Sequence, residues 1–313
     1  MKIIYMGTPA FAVPPLAALI KSHHQVLAVC TQPDRPAGRG HKLTPSPVKI
    51  KAMEYGIPVF QPETLRFADS KEIRTQLKAL GADIFVVAAY GLLLPKGILT
   101  MPPLGCINIH ASLLPKYRGA SPIHAALLNG DTTSGITIIH MDAGIDTGDM
   151  ILSKELSVNE NERFPMLHDR MAELGAEVML EALQQLESGT ATRTPQDDTL
   201  SNYAPMLRKS DASIDWGWPT LRLINQTCAF DPWPGSQTMY NGNPLKIWQV
   251  EAAACEDVCT PGTILAVDTT HGVLVKTGDS AVWVTELQGD GSKRMPAVDY
   301  IRGRAIKVGE MFG

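Results

Sequence analysis

The first half of the chain alternates short apolar runs with amphipathic stretches, up to about residue 155. The apolar runs predict strands at KIIYM, QVLAVC, IPVF, DIFVVAAY, GCINIH and GITIIHM, in chain order. Apolar runs that alternate with helical segments are typical of βαβ units around a parallel sheet. This half therefore predicts a Rossmann-like domain.

Capping residues mark the helix boundaries within this half. In SPVKIKAMEYG, Ser46 is a predicted N-cap and Gly56 ends the helix. In DSKEIRTQLKALG the helix is predicted to open at Asp69 and to stop at Gly81. Apolar residues then recur at helical spacing over 163–189, which predicts one long amphipathic helix.

The pattern changes after that helix. Residues 190–205 lose periodicity and are rich in Thr, Asp and Pro, which predicts a linker. From 206 a helix near 219–229 precedes short strands separated by glycines, namely PLKIWQV, GTILAV, GVLVKTG and AVWVTEL. That pattern suits a small OB-like β-barrel. We therefore predict an α/β fold, with a Rossmann-like parallel-sheet domain over 1–189 and a smaller β-barrel domain over 206–313.

Composition narrows the class of protein. The chain has 313 residues and a net charge of −4, so any contact with nucleic acid requires local basic patches. Of its five cysteines, Cys255 and Cys259 have CxxxC spacing, but no second ligand pair at zinc-like spacing accompanies them, and we expect reduced thiols and no metal. The start, MKIIYMG, enters a strand directly, and no apolar run reaches the roughly 18 residues of a membrane span. A cytoplasmic location without membrane contact is the expectation.

A nicotinamide dinucleotide is not expected despite the predicted fold. The first turn, MGTPAFAVPPL, lies where a dinucleotide fingerprint would stand, but Gly7 is its only glycine. The missing glycines are those that let the backbone approach a pyrophosphate.

Three polar residues form the candidate catalytic set. Asn108 and His110 end the strand GCINIH, and residues two apart on a strand face the same side. The carboxyl ends of strands are where open α/β sheets bind ligands. Asp146 stands in a later loop between Gly144 and Gly148. An amide donor, an imidazole and a carboxylate suit acyl transfer to an amine without a covalent enzyme intermediate.

Two alternatives use some of the same residues. A hydrolase built from Ser112, His110 and Asp146 lacks a GxSxG elbow, and its serine stands only two residues after the histidine. A metal site could combine His110 and Asp146 with His140 and Asp142, but no HxxxH spacing supports it. We interpret His140 as an ordinary strand residue.

The motifs resemble a known family. NIHASLLPKYRGASP together with GITIIHMDAGIDTGDM resembles the folate-dependent formyltransferases. QPDRPAGRGHKLTPSPVK and AFDPWPGS are similar to the branch of that family that acts on tRNA, and the similarity runs essentially from end to end. The resemblance implies that 10-formyltetrahydrofolate is the formyl donor and methionyl-initiator tRNA the acceptor, and it suggests a monomer.

The resemblance also implies roles for individual residues. It makes Asn108, His110 and Asp146 the catalytic set. The SLLP segment, which is Ser112, Leu113, Leu114 and Pro115, matches the folate-binding loop, and Tyr90, Gly91 and Leu92 match the stretch that lines the pterin pocket. An apolar strand end beside exposed backbone also suits a flat pterin. Core packing is the alternative for Leu92 to Leu94.

Two basic patches are candidate contacts with the tRNA. Residues 32–51 contain five basic residues and one acidic residue, and the prolines and glycines near the start predict a projecting loop. Residues 292–308 have the same ratio, although 206–313 as a whole has 10 basic and 12 acidic residues. The candidate residues are Arg35, Arg39, Lys42, Lys293, Arg294 and Arg304. By resemblance, the region of Arg39 enters the acceptor arm.

Other functions reuse a similar site. A formyltransferase acting on a nucleotide-linked amino sugar or on glycinamide ribonucleotide, or a formyltetrahydrofolate hydrolase, would not need the insertion at 32–51. The glycinamide enzyme would also lack 206–313. A tRNA-binding module without activity is the alternative from another class, but it would not require the catalytic set.

Overall fold

The structure is a computed structural model that describes residues 1–37, 42–66, 70–304 and 306–313, without the side chains of Ala37 and Lys42. The described strands are, in chain order, β1 Lys2–Gly7, β2 Gln25–Cys30, β3 Arg35–Ala37, β4 Lys42–Thr44, β5 Val59–Phe60, β6 Ile84–Ala88, β7 Cys106–His110, β8 Arg118–Gly119, β9 Thr133–His140, β10 Met150–Ser157, β11 Tyr203–Ala204, β12 Ser236–Tyr240, β13 Asn243–Ala253, β14 Ile264–Asp268, β15 Gly272–Lys276, β16 Ala281–Gly289 and β17 Met295–Pro296. The described α-helices are α1 Val13–Lys21, α2 Pro47–Glu54, α3 Lys71–Ala79, α4 Lys96–Leu99, α5 Pro122–Asn129, α6 Phe164–Ser188, α7 Thr220–Ala229 and α8 Ala297–Gly303.

The chain divides into two compact units. Unit 1 comprises residues 1–122, 133–157 and 168–204, and unit 2 comprises 123–132, 158–167 and 205–313. The predicted boundaries at 189 and 206 stay a prediction, and the segment between them is described below.

A seven-stranded sheet organises unit 1, in the order β10-β9-β7-β6-β1-β2-β5. The five strands β5, β2, β1, β6 and β7 are neighbours in this order and pair in parallel. At the other edge, β9 pairs antiparallel with both β7 and β10. β6 is buried at every position, as expected for a parallel strand covered on both faces. The six predicted strands are all present, and the Rossmann-like class is confirmed.

The helix signals in the sequence are largely matched. The Ser46 hydroxyl accepts the Lys49 backbone N–H at 3.0 Å and so caps α2, and Gly56 follows that helix with φ +65°. α3 begins at Lys71; the predicted opening residue, Asp69, lies outside the described residues. The long helix predicted over 163–189 is α6, Phe164–Ser188.

The predicted linker is hydrogen-bonded to unit 1 over much of its length. We call residues 190–204 the strap. Thr194 pairs with Met150 through two backbone hydrogen bonds of 2.8 and 2.9 Å. Further along, β11 pairs in parallel with β8. Loss of periodicity in the sequence therefore indicates irregular backbone here and not a detached linker. The backbone groups of the strap form hydrogen bonds with Met150 and with β8.

The predicted loop after β2 contains a short two-stranded ribbon. β3 and β4 pair antiparallel, with Arg35 opposite Thr44. Pro36 is tolerated in such an isolated pair, where one strand edge needs no donor.

Unit 2 is built on an antiparallel sheet in the order β12-β13-β16-β15-β14, with β17 paired to β16. Alternate residues of these strands, such as Val273 with Val275 and Val282 with Val284, are fully buried in one core. The prediction of a second, smaller sheet domain consistent with a barrel is confirmed. Within the described residues, no helix combines the length and apolarity needed to cross a membrane.

Candidate active site

The candidate site is built on β7, which lies between β6 and β9. Asn108 pairs in register with Val87 of β6 and Ile139 of β9, and His110 stands opposite Thr137. The two-residue spacing places both polar side chains on one face of the sheet. Asn108 is half-buried and His110 is 4% exposed.

Asp146 reaches both of these side chains from the loop between β9 and β10. Its Oδ1 accepts the Asn108 amide N–H at 3.2 Å, and its Oδ2 lies 3.6 Å from His110 Nδ1. Oδ2 also accepts the Gly119 backbone N–H at 2.9 Å. The structure therefore brings together the three residues predicted as the catalytic set, which we call the triad.

The hydrogen bonds of His110 define where its proton lies. Nε2 is 2.9 Å from the Tyr117 carbonyl oxygen. Because a carbonyl only accepts, Nε2 carries a proton. In the neutral ring Nδ1 is then unprotonated and faces Asp146. Their separation of 3.6 Å is longer than a direct hydrogen bond, and a hydrogen bond between these two acceptors requires one further proton.

The hydrolase alternative fails on the same geometry. The Ser112 hydroxyl is fully buried and donates to the Lys116 carbonyl at 2.6 Å. His110 directs Nε2 to Tyr117 and Nδ1 to Asp146. Neither ring nitrogen is thus arranged as a base for Ser112.

The metal alternative is not supported by the positions of its residues. His140 stands opposite Ile107, and this register places it on the other face of the sheet from His110. Asp142 accepts the Gly144 N–H at 3.0 Å and the Thr147 hydroxyl at 2.8 Å, as a turn-capping aspartate does. In the described ranges the three-ligand cluster with metal-like spacing is His23, His24 and Glu187, all outside this set.

Burial controls the ionisation of His140. Desolvation, with a further contribution from Arg193, lowers the pKa of His140 below 6.5. This agrees with the interpretation of His140 as a strand residue of the sheet.

The predicted folate loop packs against β9. Thr137 donates its hydroxyl to the Ser112 carbonyl at 2.7 Å and accepts the Leu114 N–H at 3.1 Å. The SLLP segment therefore follows His110 directly and is fixed to the strand opposite it. Its Ser112 side chain is turned inward, so contact with a ligand would come from the backbone and from Leu113 and Pro115, which are partly exposed.

The predicted pterin stretch is divided between core and surface. Tyr90 is 2% exposed in the core of unit 1, and burial raises the pKa of its phenol. Its carbonyl accepts the Thr8 hydroxyl at 2.9 Å. Gly91 is exposed with φ +79°, and Leu92 packs against the core while Leu93 is 52% exposed.

The first basic patch is partly neutralised. Lys49 pairs with Asp34 at 2.7 Å and Lys51 with Glu54 at 2.6 Å. The hydrogen bond from Lys49, together with one from Gln61, lowers the pKa of Asp34. Arg35 is exposed on β3. Arg39 and the side chain of Lys42 lie outside the described residues.

Three residues of the second basic patch, Lys293, Arg294 and Arg304, are the predicted tRNA contacts in unit 2. Arg294 donates to both carboxylate oxygens of the buried Asp231, at 2.8 and 3.1 Å, and to Glu286 at 2.6 Å. Arg304 donates to the Tyr300 hydroxyl at 2.9 Å, and Lys293 is exposed. The charge of Arg294 is therefore already balanced within unit 2.

Three residues around the triad were not predicted. Arg118, Gln196 and Asn202 hold the segments that carry Asp146 and His110, through contacts described below. Arg118 is within the motif PKYRGASP, so the available signal was an arginine inside the motif that follows His110. The structure shows that this arginine is buried. Gln196 and Asn202 stand in the aperiodic strap, and no spacing pattern distinguishes them.

The chain is similar to known proteins over most of its length. Two family models match the chain, described as "Formyl transferase" over residues 1–183 and "Formyl transferase, C-terminal domain" over residues 206–305. The methionyl-tRNA formyltransferase of Ruminiclostridium cellulolyticum is 47% identical over 316 residues, covering 100% of both chains. That of Geobacter metallireducens is 47% identical over 313 residues, covering 100% of this chain and 99% of the other.

A solved structure shows the same fold at low identity. The N-formyltransferase of Helicobacter canadensis, in complex with folinic acid and dTDP-3-aminofucose, has a TM-score of 0.66 at 18% identity. The match covers 94% of this chain and 100% of that chain.

The chain thus belongs to one class of enzyme, the formyl transferases, which confirms the resemblance seen in the sequence motifs. The two relatives from Ruminiclostridium cellulolyticum and Geobacter metallireducens have the same description. The chain belongs to the methionyl-tRNA formyltransferase family.

Proposed function

We propose that this chain transfers the formyl group of 10-formyltetrahydrofolate to the α-amino group of methionyl-initiator tRNA. The observation that carries the proposal is the convergence of Asn108, His110 and Asp146 on one face of the sheet, with separations of 3.2 and 3.6 Å. Membership of the family supports the choice of donor and acceptor.

Asn108 is the proposed donor to the reacting oxygen. In the reaction the amine nitrogen forms a bond to the formyl carbon, and the carbonyl oxygen becomes negative in the tetrahedral intermediate. One N–H of the Asn108 amide is used by Asp146, which leaves the second N–H to donate to that oxygen. A fixed donor of this kind stabilises charge that develops only in the transition state.

His110 and Asp146 are the proposed proton carriers. With its proton on Nε2, His110 presents Nδ1 beside the Asp146 carboxylate, so both facing atoms are acceptors. They receive one proton from the attacking amine as its bond to carbon forms. Doubly protonated His110 then donates a proton to the folate nitrogen as the bond from carbon to that nitrogen breaks. No covalent intermediate with the protein is required.

The folate is proposed to lie along the two segments that flank the triad. Ser112 to Pro115 follow His110 directly, and Tyr90, Gly91 and Leu92 follow β6, the neighbour of β7. With Tyr90 in the core, its contribution is backbone only. Exposed backbone at Gly91 beside the half-exposed Leu93 suits a flat heterocycle with polar edges.

The tRNA is proposed to contact both basic patches. Arg35, Arg39 and Lys42 belong to residues 32–51, which the sequence predicts to be a projecting loop, and Arg35 is exposed. In unit 2 the three candidates Lys293, Arg294 and Arg304 are all exposed, and Arg294 and Arg304 already donate hydrogen bonds to neighbouring side chains. Neutralising Arg35 and Lys293 together should raise the KM for tRNA and reduce the slope of log KM against log salt by about one for each phosphate that the protein no longer neutralises. An unchanged slope would exclude Arg35 and Lys293 as contacts with tRNA phosphates. A cytoplasmic, monomeric protein stays the expectation.

The direct experiment is a transfer assay with competing acceptors. Purified protein is incubated with 10-formyltetrahydrofolate and methionyl-tRNA, and formylmethionine is measured after hydrolysis of the ester. Parallel reactions contain a nucleotide-linked amino sugar, glycinamide ribonucleotide, or no acceptor. We expect transfer to methionyl-tRNA alone. Transfer to another amine, or formate release without any acceptor, would replace the proposal by the corresponding activity.

A further inference from the structure

The strap contacts the triad from outside the sheet. At one end Thr194 is paired with Met150, four residues after Asp146, and at the other end Ala204 accepts the Ala120 N–H at 2.9 Å. Between these points the strap directs side chains toward two places, the Asp146 loop and the segment 117–119.

Gln196 fixes the backbone of the Asp146 loop. Its Nε2 donates to the carbonyl of Asp146 and to the carbonyl of Gly148, both at 2.8 Å, so both amide hydrogens are used. Asp146 has φ +55°, a left-handed conformation that a residue other than glycine keeps only where its surroundings hold it. The two hydrogen bonds hold the backbone at this residue and two residues after it.

Arg118 sets the orientation of the Gln196 amide. Its Nε donates to Gln196 Oε1 at 3.0 Å, and its Nη2 donates to Asp198 at 2.7 Å. An arginine can only donate, so the amide oxygen must face Arg118 and the amide nitrogen must face the loop. The Arg118 side chain is 11% exposed, which limits the alternatives available to it.

The same strap also fixes the partner of His110. Asn202 accepts the Tyr117 N–H through its side-chain oxygen, and Tyr117 accepts His110 Nε2 through its carbonyl. Gly119, two residues on, donates to Asp146. At Gly119 φ is +108°, and a Cβ would lie 2.7 Å from the Ala204 carbonyl oxygen. A glycine is therefore required for the strap to pass this close.

We propose that Gln196 is a positioning residue for formyl transfer, acting through the Asp146 loop, and that Asn202 does the same for His110 through Tyr117. This inference rests on the proposed function of the triad. The separation of 3.6 Å between His110 and Asp146 lies just beyond hydrogen-bond distance, so the relative placement of the two segments determines whether they share a proton. The strap is bonded to both segments.

The test replaces the donors while keeping the shape. Gln196→Glu retains the oxygen that accepts from Arg118 but turns a second oxygen toward the two carbonyls. We expect kcat to fall by about 10–100-fold with KM for methionyl-tRNA within twofold, because misplacement by roughly 1 Å has this cost. Asn202→Leu should act in the same direction, and Asn202→Asp, which keeps the accepting oxygen, should restore most of kcat.

The matched control comes from the same strap. Asp197 caps the turn at Thr199 with its carboxylate, at 2.9 Å from the backbone N–H, and is exposed. Asp197→Ala should lower Tm without changing kcat. If it lowers kcat as much as Gln196→Glu, the strap has a structural role only and the inference fails.

Two further measurements separate positioning from stability and from the reaction itself. In Gln196→Ala kcat should fall while KM for methionyl-tRNA stays within twofold, since the carboxylate is no longer aligned with the imidazole. In a crystal structure of Gln196→Ala the distance from His110 Nδ1 to Asp146 Oδ2 should exceed that in the wild type. An unchanged distance would overturn the inference about Gln196, whichever amine the wild-type protein formylates. If the wild-type protein transfers no formyl group, that result counts against the proposed function alone.

Discussion

The polar group in unit 1 and the basic patch in unit 2 differ in what their side chains face. In unit 1, Asn108 and His110 come from one short strand and turn toward a single carboxylate, Asp146. In unit 2, Arg294 binds the buried Asp231. The first cluster converges on one carboxylate, whereas Arg294 in the second cluster is already paired within unit 2.

The difference follows from the length of the side chains and the distance in sequence to their partners. Short side chains on a strand keep the direction that the backbone gives them, so a spacing of two residues fixes a shared face. A long guanidinium reaches several ångströms in many directions and selects a carboxylate that can pair with it in two places. Counting charges within a window therefore overestimates how many remain available.

The strongest test of this contrast is His110→Ala. We expect kcat for formyl transfer to fall by about 10²–10⁴-fold, the usual contribution of a positioned acid–base group. The Kd for tRNA, measured by filter binding, should change little because His110 is buried beneath the reacting face. Turnover at the wild-type rate would mean that the triad converges for a structural reason.

Arg294→Ala tests the other side of the contrast. Removing it leaves the Asp231 carboxylate with Arg163 as its remaining charged partner. We expect the free energy of unfolding in urea to fall by about 1–3 kcal/mol, discounted for the one-third exposure of the arginine (34%). Lys293→Ala, the adjacent control, should leave stability unchanged and weaken tRNA binding instead. If Lys293→Ala lowered stability and Arg294→Ala weakened tRNA binding instead, the contrast between the two units would be wrong.

A smaller effect is expected from His140, on the opposite face of the sheet from His110. Burial lowers its pKa below the 6.5 of the unfolded chain, so between these values the unfolded state binds more protons. Stability is complete above about pH 6.5 and declines as the pH falls through that window. His140→Gln should flatten the decline of Tm with acidity. An identical slope in both proteins would show that His140 titrates alike in the folded and unfolded states.

The sequence predicted most of the scaffold that carries the triad. The six strands, the cap at Ser46 and the long helix follow from local pattern, because apolar periodicity and capping act within a few residues. β12 was missed, since SQTMY offers few apolar residues even though Ser236 and Thr238 are buried. Both buried residues are polar, which conceals the alternation.

The candidate site was predictable only where local spacing controls it. Asn108 and His110 follow from the strand, but the meeting with Asp146 depends on the register of β7 with β9, and on Met150 pairing with Ile139. Gln196 and Asn202 could not be found, because their contacts join residues 48 to 85 positions apart. No short-range signal encodes such pairs.

The pairing of β11 with β8 sets the shortest polypeptide that can contain a complete site. A protease cut or a stop codon near residue 189 would spare every strand of the seven-stranded sheet yet remove the amide that holds the Asp146 loop. During synthesis, likewise, the ribosome must reach Ala204 before all the hydrogen bonds between the strap and the rest of unit 1 can form.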